Sequence, residues 1–382
     1  MGSPDDVKAK PAAGRQVGGQ ISPTRPPRPT LRDVALLANV SFKTVSRVVN
    51  NEPRVRPETA ERVLAAIREL RFTPNYNASS LKHGVSSATI GLVIADVANP
   101  FFAVIARAVE EVARENNHLL VTASTAEDPE RERDVIEALV ERRVRGIIVV
   151  PVSRDHRFLR PELEHGTAIV FLDRPPSRLR ADAVLLDNLG GARQAVDHLL
   201  AHGHRRIAII GDRLEVYTIG ERYRGYRASL DAFGVVVDEQ LVRFGCHDTH
   251  DAAEAVRDLL RLPDPPTAIF ATNNRMSVGC VEVIATLDPP VALVGFDDFE
   301  LAAALRLPVT VVSYDLEDVG RRAAGLLFDR LQGNRAAPRS LTVPTRIVER
   351  GSGEVIPPGT PAMTAPGTPA ASTARDLTTL SR

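Results

Sequence analysis

The 382-residue sequence has no tryptophan and only two cysteines. Cys246 and Cys280 are far apart and lack C-x-x-C neighbours, so the sequence predicts neither a disulfide framework nor a zinc site. No stretch approaches the roughly 18 uninterrupted apolar residues of a membrane helix, which argues against a membrane role. The first residues are charged without an apolar core, so we expect no secretory signal. These absences favour a cytoplasmic protein without a metal or cofactor.

Two histidines lie close enough in the sequence to suggest a metal site. They are His202 and His204, within the tripeptide HGH. No third ligand follows at a fitting spacing, so we interpret both as structural residues.

The net charge is zero, but it is unevenly divided. Residues 1–84 hold 14 Lys and Arg against 7 Asp and Glu, a charge of +7. The remainder holds 34 against 41, a charge of −7. Such a split indicates a polyanionic partner for the front of the chain only.

Composition divides the chain into five segments. Residues 1–29 and 352–382 lack an apolar period, so we expect a disordered arm, serving mainly for solubility, and a disordered tail. Between them the patterns predict a helical domain over 30–73, a linker over 74–86 and a larger domain over 87–351.

Apolar residues at helical spacing predict three short helices between residues 31 and 70. The first ends at Asn39, Ser41 can cap the second, and Pro57 suits the first position of the third. Beyond Ser87, apolar runs of strand length alternate with amphipathic segments of helix length. The predicted strands include Ile90 to Ala95, Leu119 to Ala123, Gly146 to Pro151, Ala168 to Leu172, Arg206 to Gly211, Ala268 to Ala271 and Val291 to Phe296.

This alternation predicts a parallel α/β sheet covered on both faces. So many strands favour two lobes over one very wide sheet. In open α/β sheets ligands bind beyond the carboxyl ends of the strands, so the polar residues that end these runs are candidates for a binding site.

The second predicted helix is suited to reading DNA. In a helix-turn-helix the second helix enters the major groove by its N-terminal residues, here Phe42, Lys43, Thr44, Ser46 and Arg47. For a lone basic pair, a solvated helix face is the better interpretation. Residues 30–84, however, hold nine basic and five acidic residues, and this charge in a small three-helix unit favours DNA.

The motifs T-L-x-D-V-A, V-S-x-x-T-V-S-R-V-V-N and T-P-N-x-x-A-x-S-L resemble the headpiece of the lactose-repressor (LacI/GalR) family. The resemblance implies a hinge helix over 74–86 whose Leu81, with Ala78 beside it, wedges between base pairs in the minor groove. Two departures are Ser79, where the family usually has arginine, and Arg56, where it usually has a serine or threonine cap. The implied DNA contacts are Thr30, Leu31, Ser41, Phe42, Lys43, Thr44, Ser46, Arg47, Asn50, Asn75, Tyr76, Ala78 and Leu81.

The larger domain carries further landmarks of the family: ANPFF, FLDR, ERYRGY, FATNN and VGFDD. They imply two lobes of the periplasmic-binding-protein type with the ligand between them and three crossovers. The first lobe would comprise 87–186 with 314–342, and the second 187–313 with 343–351.

The family's site residues, carried over by position, imply a site that favours a polar, hydroxylated ligand. Carboxylates accept from hydroxyls, guanidiniums donate, and aromatic rings cover the apolar face of a sugar. Tyr314, Asn274 and His247 depart from common family residues, so we expect a sugar, a sugar derivative or a nucleoside-like effector. The implied site residues are Phe101, Phe102, Asp173, Arg174, Arg222, His247, Asn273, Asp297 and Tyr314.

These features predict a transcription regulator, a repressor, that binds palindromic double-stranded operator DNA as a homodimer under control of a small effector. The alternative is an α/β enzyme with a fused DNA-binding module. The sequence lacks G-x-G-x-x-G, a P-loop, G-x-S-x-G and H-E-x-x-H, so no catalytic signature supports that alternative. A free sugar-transport protein is disfavoured by the fused headpiece.

Overall fold

The computed structural model describes residues 29–49, 55–72, 88–288 and 290–358. The chain divides into two compact units, residues 1–85 and residues 86–382. Within the described ranges, no helix combines the length and the apolar character needed to cross a membrane.

The described part of the first unit holds the three short helices that the sequence predicts. They are α1 (Leu31–Leu37), α2 (Phe42–Val49) and α3 (Pro57–Glu69). One small core joins them, because Val34, Val45 and Val63, one from each helix, are completely buried together. The remaining faces of the helices are left to the surface.

Short polar side chains fix the starts of these helices. The Thr30 hydroxyl accepts from the Asp33 backbone N–H at 3.4 Å, and the Asp33 carboxylate accepts from the Thr30 N–H at 2.7 Å, which forms a capping box. Ser41 caps α2, as predicted, by accepting from the Thr44 N–H at 3.1 Å. Arg56 supplies no side-chain cap to α3, in agreement with the departure noted in the sequence.

The second unit contains two six-stranded sheets, which confirms the predicted two-lobed α/β fold. In space their orders are β11-β5-β4-β3-β1-β2 and β12-β10-β9-β8-β6-β7, and all pairs are parallel except β10 with β12. The strands are β1 (Thr89–Ile94), β2 (Leu119–Ser124), β3 (Gly146–Val149), β4 (Ala168–Asp173), β5 (Asp182–Leu186), β6 (Ile207–Ile210), β7 (Val242–Arg243), β8 (Ala268–Ala271), β9 (Ala292–Phe296), β10 (Thr310–Ser313), β11 (Ser340–Val343) and β12 (Arg346–Val348).

Helices cover both faces of each sheet. They are α4 (Pro100–Glu115), α5 (Pro129–Glu141), α6 (Arg160–Glu164), α7 (Asn188–Ala201), α8 (Tyr217–Ala232), α9 (Thr249–Leu260), α10 (Asn274–Ile284) and α11 (Leu316–Leu331). In the first lobe, built on the β1 sheet, α4 and α11 pack on one face and α5 on the other. In the second lobe, built on the β6 sheet, α7 and α8 lie opposite α9 and α10.

The chain crosses between the lobes three times, after β5, after β10 and after β11. The strands of each sheet are mostly parallel, so their carboxyl ends and the loops that follow them gather at one edge of each lobe. This arrangement places the strand-end residues of both lobes around one cleft.

The packed domain continues past residue 351, the last residue of the domain predicted from the sequence. Ser352 is 1% exposed, its hydroxyl donates to the Leu293 carbonyl, and it accepts from the Thr310 N–H at 2.9 Å. Glu354 accepts from the Thr310 hydroxyl and lies 2.6 Å from His198. The segment is polar, so its packing left no apolar period in the sequence.

Candidate functional site

In each lobe, an aspartate with an unusual backbone lies at the carboxyl end of the strand that is third in the spatial order of the sheet. Asp173 is the last residue of β4 and Asp297 follows β9, and the two strands occupy corresponding positions in their sheets. Their φ angles are +66° and +69°. Left-handed backbone is uncommon for residues other than glycine, although aspartate tolerates it, and such strain is concentrated at functional sites. The fold therefore turns both carboxylates at the edge where the lobes meet.

Asp297 is held by a network of buried groups. Its carboxylate accepts from the Tyr314 hydroxyl at 2.6 Å and lies 3.4 Å from the Arg222 guanidinium. Arg222 also donates to Asn188 at 2.9 Å and lies 3.6 Å from the centre of the Phe296 ring. The guanidinium is thus balanced by a carboxylate, hydrogen bonds and a ring face, which fixes this wall of the cleft.

Asp173 is buried with less compensation. Its Oδ1 has no hydrogen-bond partner within the described ranges, and its other oxygen lies 3.7 Å from Arg174 Nε. Burial raises the pKa of the Asp173 carboxyl to about 6, although Arg174 and Arg222 oppose the rise. A buried acceptor without a donor is costly, so this oxygen is suited to receive a hydroxyl or another donor from a ligand.

The neighbouring Arg174 points its guanidinium to another carboxylate. Its terminal nitrogens donate to Glu127 at 2.6 and 2.8 Å, a two-point contact, and one of them reaches the Pro151 carbonyl at 3.3 Å. Its Nε is buried without a hydrogen-bond partner among the described residues. Asp173 and Arg174 therefore leave one acceptor and one donor unmatched in the same place.

Aromatic rings form the edge of the cleft in the first lobe. Phe101 and Phe102 begin α4 and make an edge-to-face pair with centroids 4.8 Å apart. Phe101 also lies 6.4 Å from the Tyr314 ring. Tyr314 does not line the cavity itself, and its pKa is raised well above its ordinary value by burial and by Asp297.

The remaining predicted residues come from the second lobe. Asn273 caps α10 by accepting from the Met276 N–H at 2.9 Å. The His247 side chain is 60% exposed at the mouth of the cleft, with its ring nitrogen 2.8 Å from Asp212. Both line the cavity, so they can contact a ligand from the side opposite the phenylalanines.

Two contacts join the lobes directly across the cleft. The Asn274 amide donates to the Asn99 side chain at 2.9 Å, and Arg275 forms an ion pair with Asp96. Asp96 and Asn99 follow β1 in the first lobe, whereas Asn274 and Arg275 begin α10 in the second. Any opening of the lobes has to break these contacts.

The cleft consists of two adjoining cavities. The first chamber, about 500 Å³, is lined by eight of the nine predicted effector residues, namely Phe101, Phe102, Asp173, Arg174, Arg222, His247, Asn273 and Asp297. The second chamber, about 940 Å³, lies between Pro151, Ser153, Pro175 and Ser177 of the first lobe and Tyr217 of the second. Each volume lies within the range of about 300–1,000 Å³ that is usual for small-molecule sites.

Sequence reasoning missed several charged residues of the cleft. Asp96, Glu127 and Asp212 line the first chamber, and each follows the carboxyl end of a strand. The rule that strand-end polar residues form the site would have found them. Glu127 also has a positive φ of 58°, but no sequence pattern indicates that.

The candidate DNA-reading residues lie on α2 and just before it. Phe42 is 43% exposed and Lys43 is exposed, both at the N-terminal end of the helix. Thr44, Ser46 and Arg47 are half-buried, and the Thr44 hydroxyl lies 2.8 Å from that of Ser41. Thr30 is exposed at the start of α1 and Leu31 is half-buried beside it. Asn50, Asn75, Tyr76, Ala78 and Leu81 lie outside the described residues.

His204, one of the two histidines that could have suggested a metal, is a completely buried structural residue. Its ring nitrogens contact the Thr267 hydroxyl at 2.9 Å and the Val355 carbonyl at 2.7 Å. Burial lowers the pKa of His204, so its neutral form is favoured. His202 lies at the end of α7, with its ring nitrogen 2.8 Å from the His198 carbonyl.

Two known families match separate parts of the chain. Residues 30–75 match the bacterial regulatory proteins of the lacI family, and residues 196–353 match the periplasmic binding protein-like domain. The first match contains α1 to α3, and the second lies mainly in the second lobe.

Relatives and solved structures match over most of the chain. The HTH-type transcriptional regulator CelR of Thermobifida fusca is 35% identical, over 85% of this chain and 98% of its own. A solved complex of the transcriptional regulator CelR with cellobiose is 33% identical, with a TM-score of 0.63 and coverage of 85% and 100% of the two chains. The lac repressor dimer bound to operator and the anti-inducer ONPF is 25% identical, with a TM-score of 0.75 and coverage of 86% and 100%.

Proposed function

Because the chain belongs to the LacI family of bacterial regulatory proteins, we propose that it represses transcription by binding a palindromic DNA operator as a dimer, under control of a small polar effector. The proposal rests mainly on one observation. The same chain carries a small helical unit with an exposed, basic helix start and a two-lobed cleft lined by polar strand-end residues.

The DNA-reading part of the proposal assigns base contacts to the start of α2. Lys43 can donate to guanine O6 and N7 or to phosphate, and the exposed Phe42 ring can contact a thymine methyl group. Val45 is completely buried in the core of the unit, so it fixes which face of α2 turns outward. A wedge at Leu81 remains a prediction for the segment 74–86.

The dimer is proposed on grounds of symmetry and surface chemistry. A palindromic operator mirrors a two-fold protein, because two recognition helices then read half-sites about one DNA turn apart. In the first lobe, edge strand β2 exposes 65% of Leu119 and 38% of Val121. An exposed apolar edge strand is unusual for a monomer, so this edge is a candidate for the subunit contact.

The effector is proposed to be a hydroxylated molecule such as a sugar, a sugar derivative or a nucleoside. Asp173 offers an unmatched acceptor, Asn273 an amide, and the phenylalanine pair an apolar face. The solved complex of a 33% identical regulator with cellobiose supports this class of ligand.

Control of DNA binding is proposed to act through closure of the lobes. A ligand that contacts both lobes stabilises the closed arrangement, which is also held by Asn274 with Asn99 and by Arg275 with Asp96. The ligand changes operator affinity only by as much as its affinity differs between the two states. Residues 74–86 would transmit the change.

The test is selection of genomic fragments by the purified protein, with sequencing of those retained. We expect a palindrome whose retention changes when one sugar or nucleoside is added.

Lys43→Ala should lower operator affinity about tenfold, because it removes a base or phosphate contact. Arg62→Ala is the matched control, because Arg62 is an exposed basic residue on α3, and it should retain affinity. Failure to enrich any sequence would contradict the proposal.

A further inference from the structure

We infer that the second chamber is a subsite for a second sugar ring, so that the effector is a saccharide of at least two rings. The inference rests on the proposed function, because it names the ligand class of the same cleft. Four observations support it: the shared lining of the chambers, unmatched polar atoms beside that lining, a partly exposed aromatic ring, and walls fixed by buried polar groups.

The two chambers adjoin and share part of their lining. Both are lined by Glu127 and Arg174 of the first lobe and by Arg213 and Val216 of the second. The second chamber is the larger, at about 940 Å³ against about 500 Å³. A single ring that fills the first chamber would leave most of the cleft to water.

The unmatched buried atoms belong to Asp173, which lines the first chamber, and to Arg174, which lines both. Within the described part of the chain, Asp173 Oδ1 has no hydrogen-bond donor, and Arg174 Nε has no hydrogen-bond acceptor, although it lies 3.7 Å from Asp173 Oδ2. A molecule that spans both chambers with hydroxyl groups satisfies both atoms at once, because a hydroxyl donates and accepts. The hydroxyls on either side of a glycosidic bond have that chemistry.

Tyr217 supplies the second chamber with a ring platform. It is the first residue of α8, it is 37% exposed, and it lines the chamber. Pro151, Pro175 and Pro176 line the same chamber from the other lobe. An aromatic face with apolar neighbours suits the apolar face of a sugar ring, whereas Ser153 and Ser177 suit its hydroxyls.

Buried polar groups hold the first-lobe wall of the second chamber in place. Glu132 is completely buried, and its carboxylate accepts from the backbone N–H groups of Val152 and Ser153. His156 is also completely buried. Its ring Nδ1 accepts from the Ser177 backbone N–H at 3.0 Å, and its backbone N–H donates to the Ser177 carbonyl at 3.0 Å.

The Nδ1 atom of His156 is therefore an acceptor, which places the proton of the neutral ring on Nε2, 3.4 Å from Glu132. A buried carboxylate is a costly means of fixing a loop. Its use here preorganises the wall, and a preorganised wall reduces the ordering cost of binding a ligand.

The test measures sugar binding to the full chain without DNA, so it is independent of operator selection. A calorimetric panel contains glucose, galactose, xylose and ribose, the disaccharides cellobiose, lactose, maltose and xylobiose, and the nucleosides adenosine and cytidine. We expect a disaccharide to bind most tightly. Tyr217→Ala should weaken that disaccharide about tenfold and leave its component monosaccharide within about twofold, because only the second ring contacts Tyr217.

Two variants control the experiment. Tyr217→Phe keeps the ring and should bind the disaccharide nearly as well as the parent protein. Phe233→Ala removes an aromatic ring that is 46% exposed at the far end of α8, and it should change neither affinity. A monosaccharide or a nucleoside as the tightest ligand, equal losses for both sugars in Tyr217→Ala, or no binding by any compound would each overturn the inference. Enrichment of an operator would still support the regulator itself.

Discussion

The two lobes place an aspartate in the same backbone conformation, but the surroundings of the two carboxylates differ. Asp173 and Asp297 end corresponding strands in left-handed conformations, with φ angles only three degrees apart. Asp297 is surrounded by donors from Arg222 and Tyr314, whereas Asp173 has an oxygen without a partner in the described residues. The two lobes therefore share a fold, but their corresponding aspartates differ in their hydrogen-bond partners.

The difference separates a structural carboxylate from a binding one. The Asp297 carboxylate is needed to neutralise a buried guanidinium, so its charge stabilises the folded chain. The Asp173 carboxylate is kept in a poorly solvated place that raises its pKa, so its charge lowers stability and is available to a ligand. Substitutions that remove each charge while keeping the shape should separate these roles.

Asp297→Asn should have the largest effect. Asparagine tolerates the positive φ, so the change mainly removes the charge that faces Arg222. Because the side chains of Asp297 and Arg222 are 9% and 4% exposed, an uncompensated guanidinium remains buried. We expect the free energy of unfolding to fall by about 3 kcal/mol, measured by urea denaturation.

Tyr314→Phe is the companion variant for this prediction. It removes the hydroxyl that donates to Asp297 at 2.6 Å but leaves the ion pair, so the loss should be smaller, about 1.5 kcal/mol. A loss in Asp297→Asn no larger than that in Tyr314→Phe would show that the charge at Asp297 is not the stabilising feature.

Asp173→Asn should act in the opposite direction on stability. Burial raises the pKa of Asp173 from 3.8 to about 6, so the folded chain holds its proton more tightly than the unfolded chain does. Stability of the parent protein therefore falls as pH rises from about 4 to about 6. The asparagine variant escapes this loss and should be more stable by up to about 3 kcal/mol at about pH 8, with no difference near pH 4.

The same variant should bind its effector at least about tenfold less tightly, because an amide oxygen is a weaker acceptor than a carboxylate. Urea denaturation across pH and calorimetric titration provide the two measurements. A variant that is less stable than the parent at about pH 8 would assign Asp173 the same structural role as Asp297 and remove the contrast between the lobes.

The sequence predicted several buried strands well, but burial alone did not decide which strands were found, because β5 and β10 are mostly buried and were missed. The apolar runs of β1, β4, β8 and β9 are almost fully buried, and each was found within one or two residues. The strands not predicted were β5, β10, β11, β12 and the two-residue β7. β11 and β12 are partly exposed edge strands, so they carry no continuous apolar run for a sequence pattern to detect.

The sequence predicted which residues line the site, but not which of their side chains pair with each other. The strand-end rule and the family motifs together selected Asp173, Arg174 and Asp297, and all three line the first chamber. The pairing of Arg174 with Glu127 joins residues 47 positions apart, and that of Arg275 with Asp96 joins residues 179 apart. Strand order within the first sheet brings the first pair together, and the approach of the two lobes brings the second pair together. Local sequence could therefore not indicate which carboxylate each arginine would meet.

Arg275→Ala should have the smallest effect, and it tests whether the contrast between the lobes depends on their closure. Arg275 donates to Asp96, which lowers the pKa of that carboxyl, and the two side chains are 35% and 33% exposed. A pair this exposed is worth about 0–1 kcal/mol, so effector affinity should fall no more than about fivefold.

Arg257→Ala is the control, because Arg257 is also 35% exposed but pairs with Glu254 and Glu282 inside the second lobe. Equal losses in both variants, by calorimetric titration, would show that the pair between the lobes contributes nothing specific to closure. A loss confined to Arg275→Ala would mean that the contact between the lobes contributes part of the binding energy of the ligand.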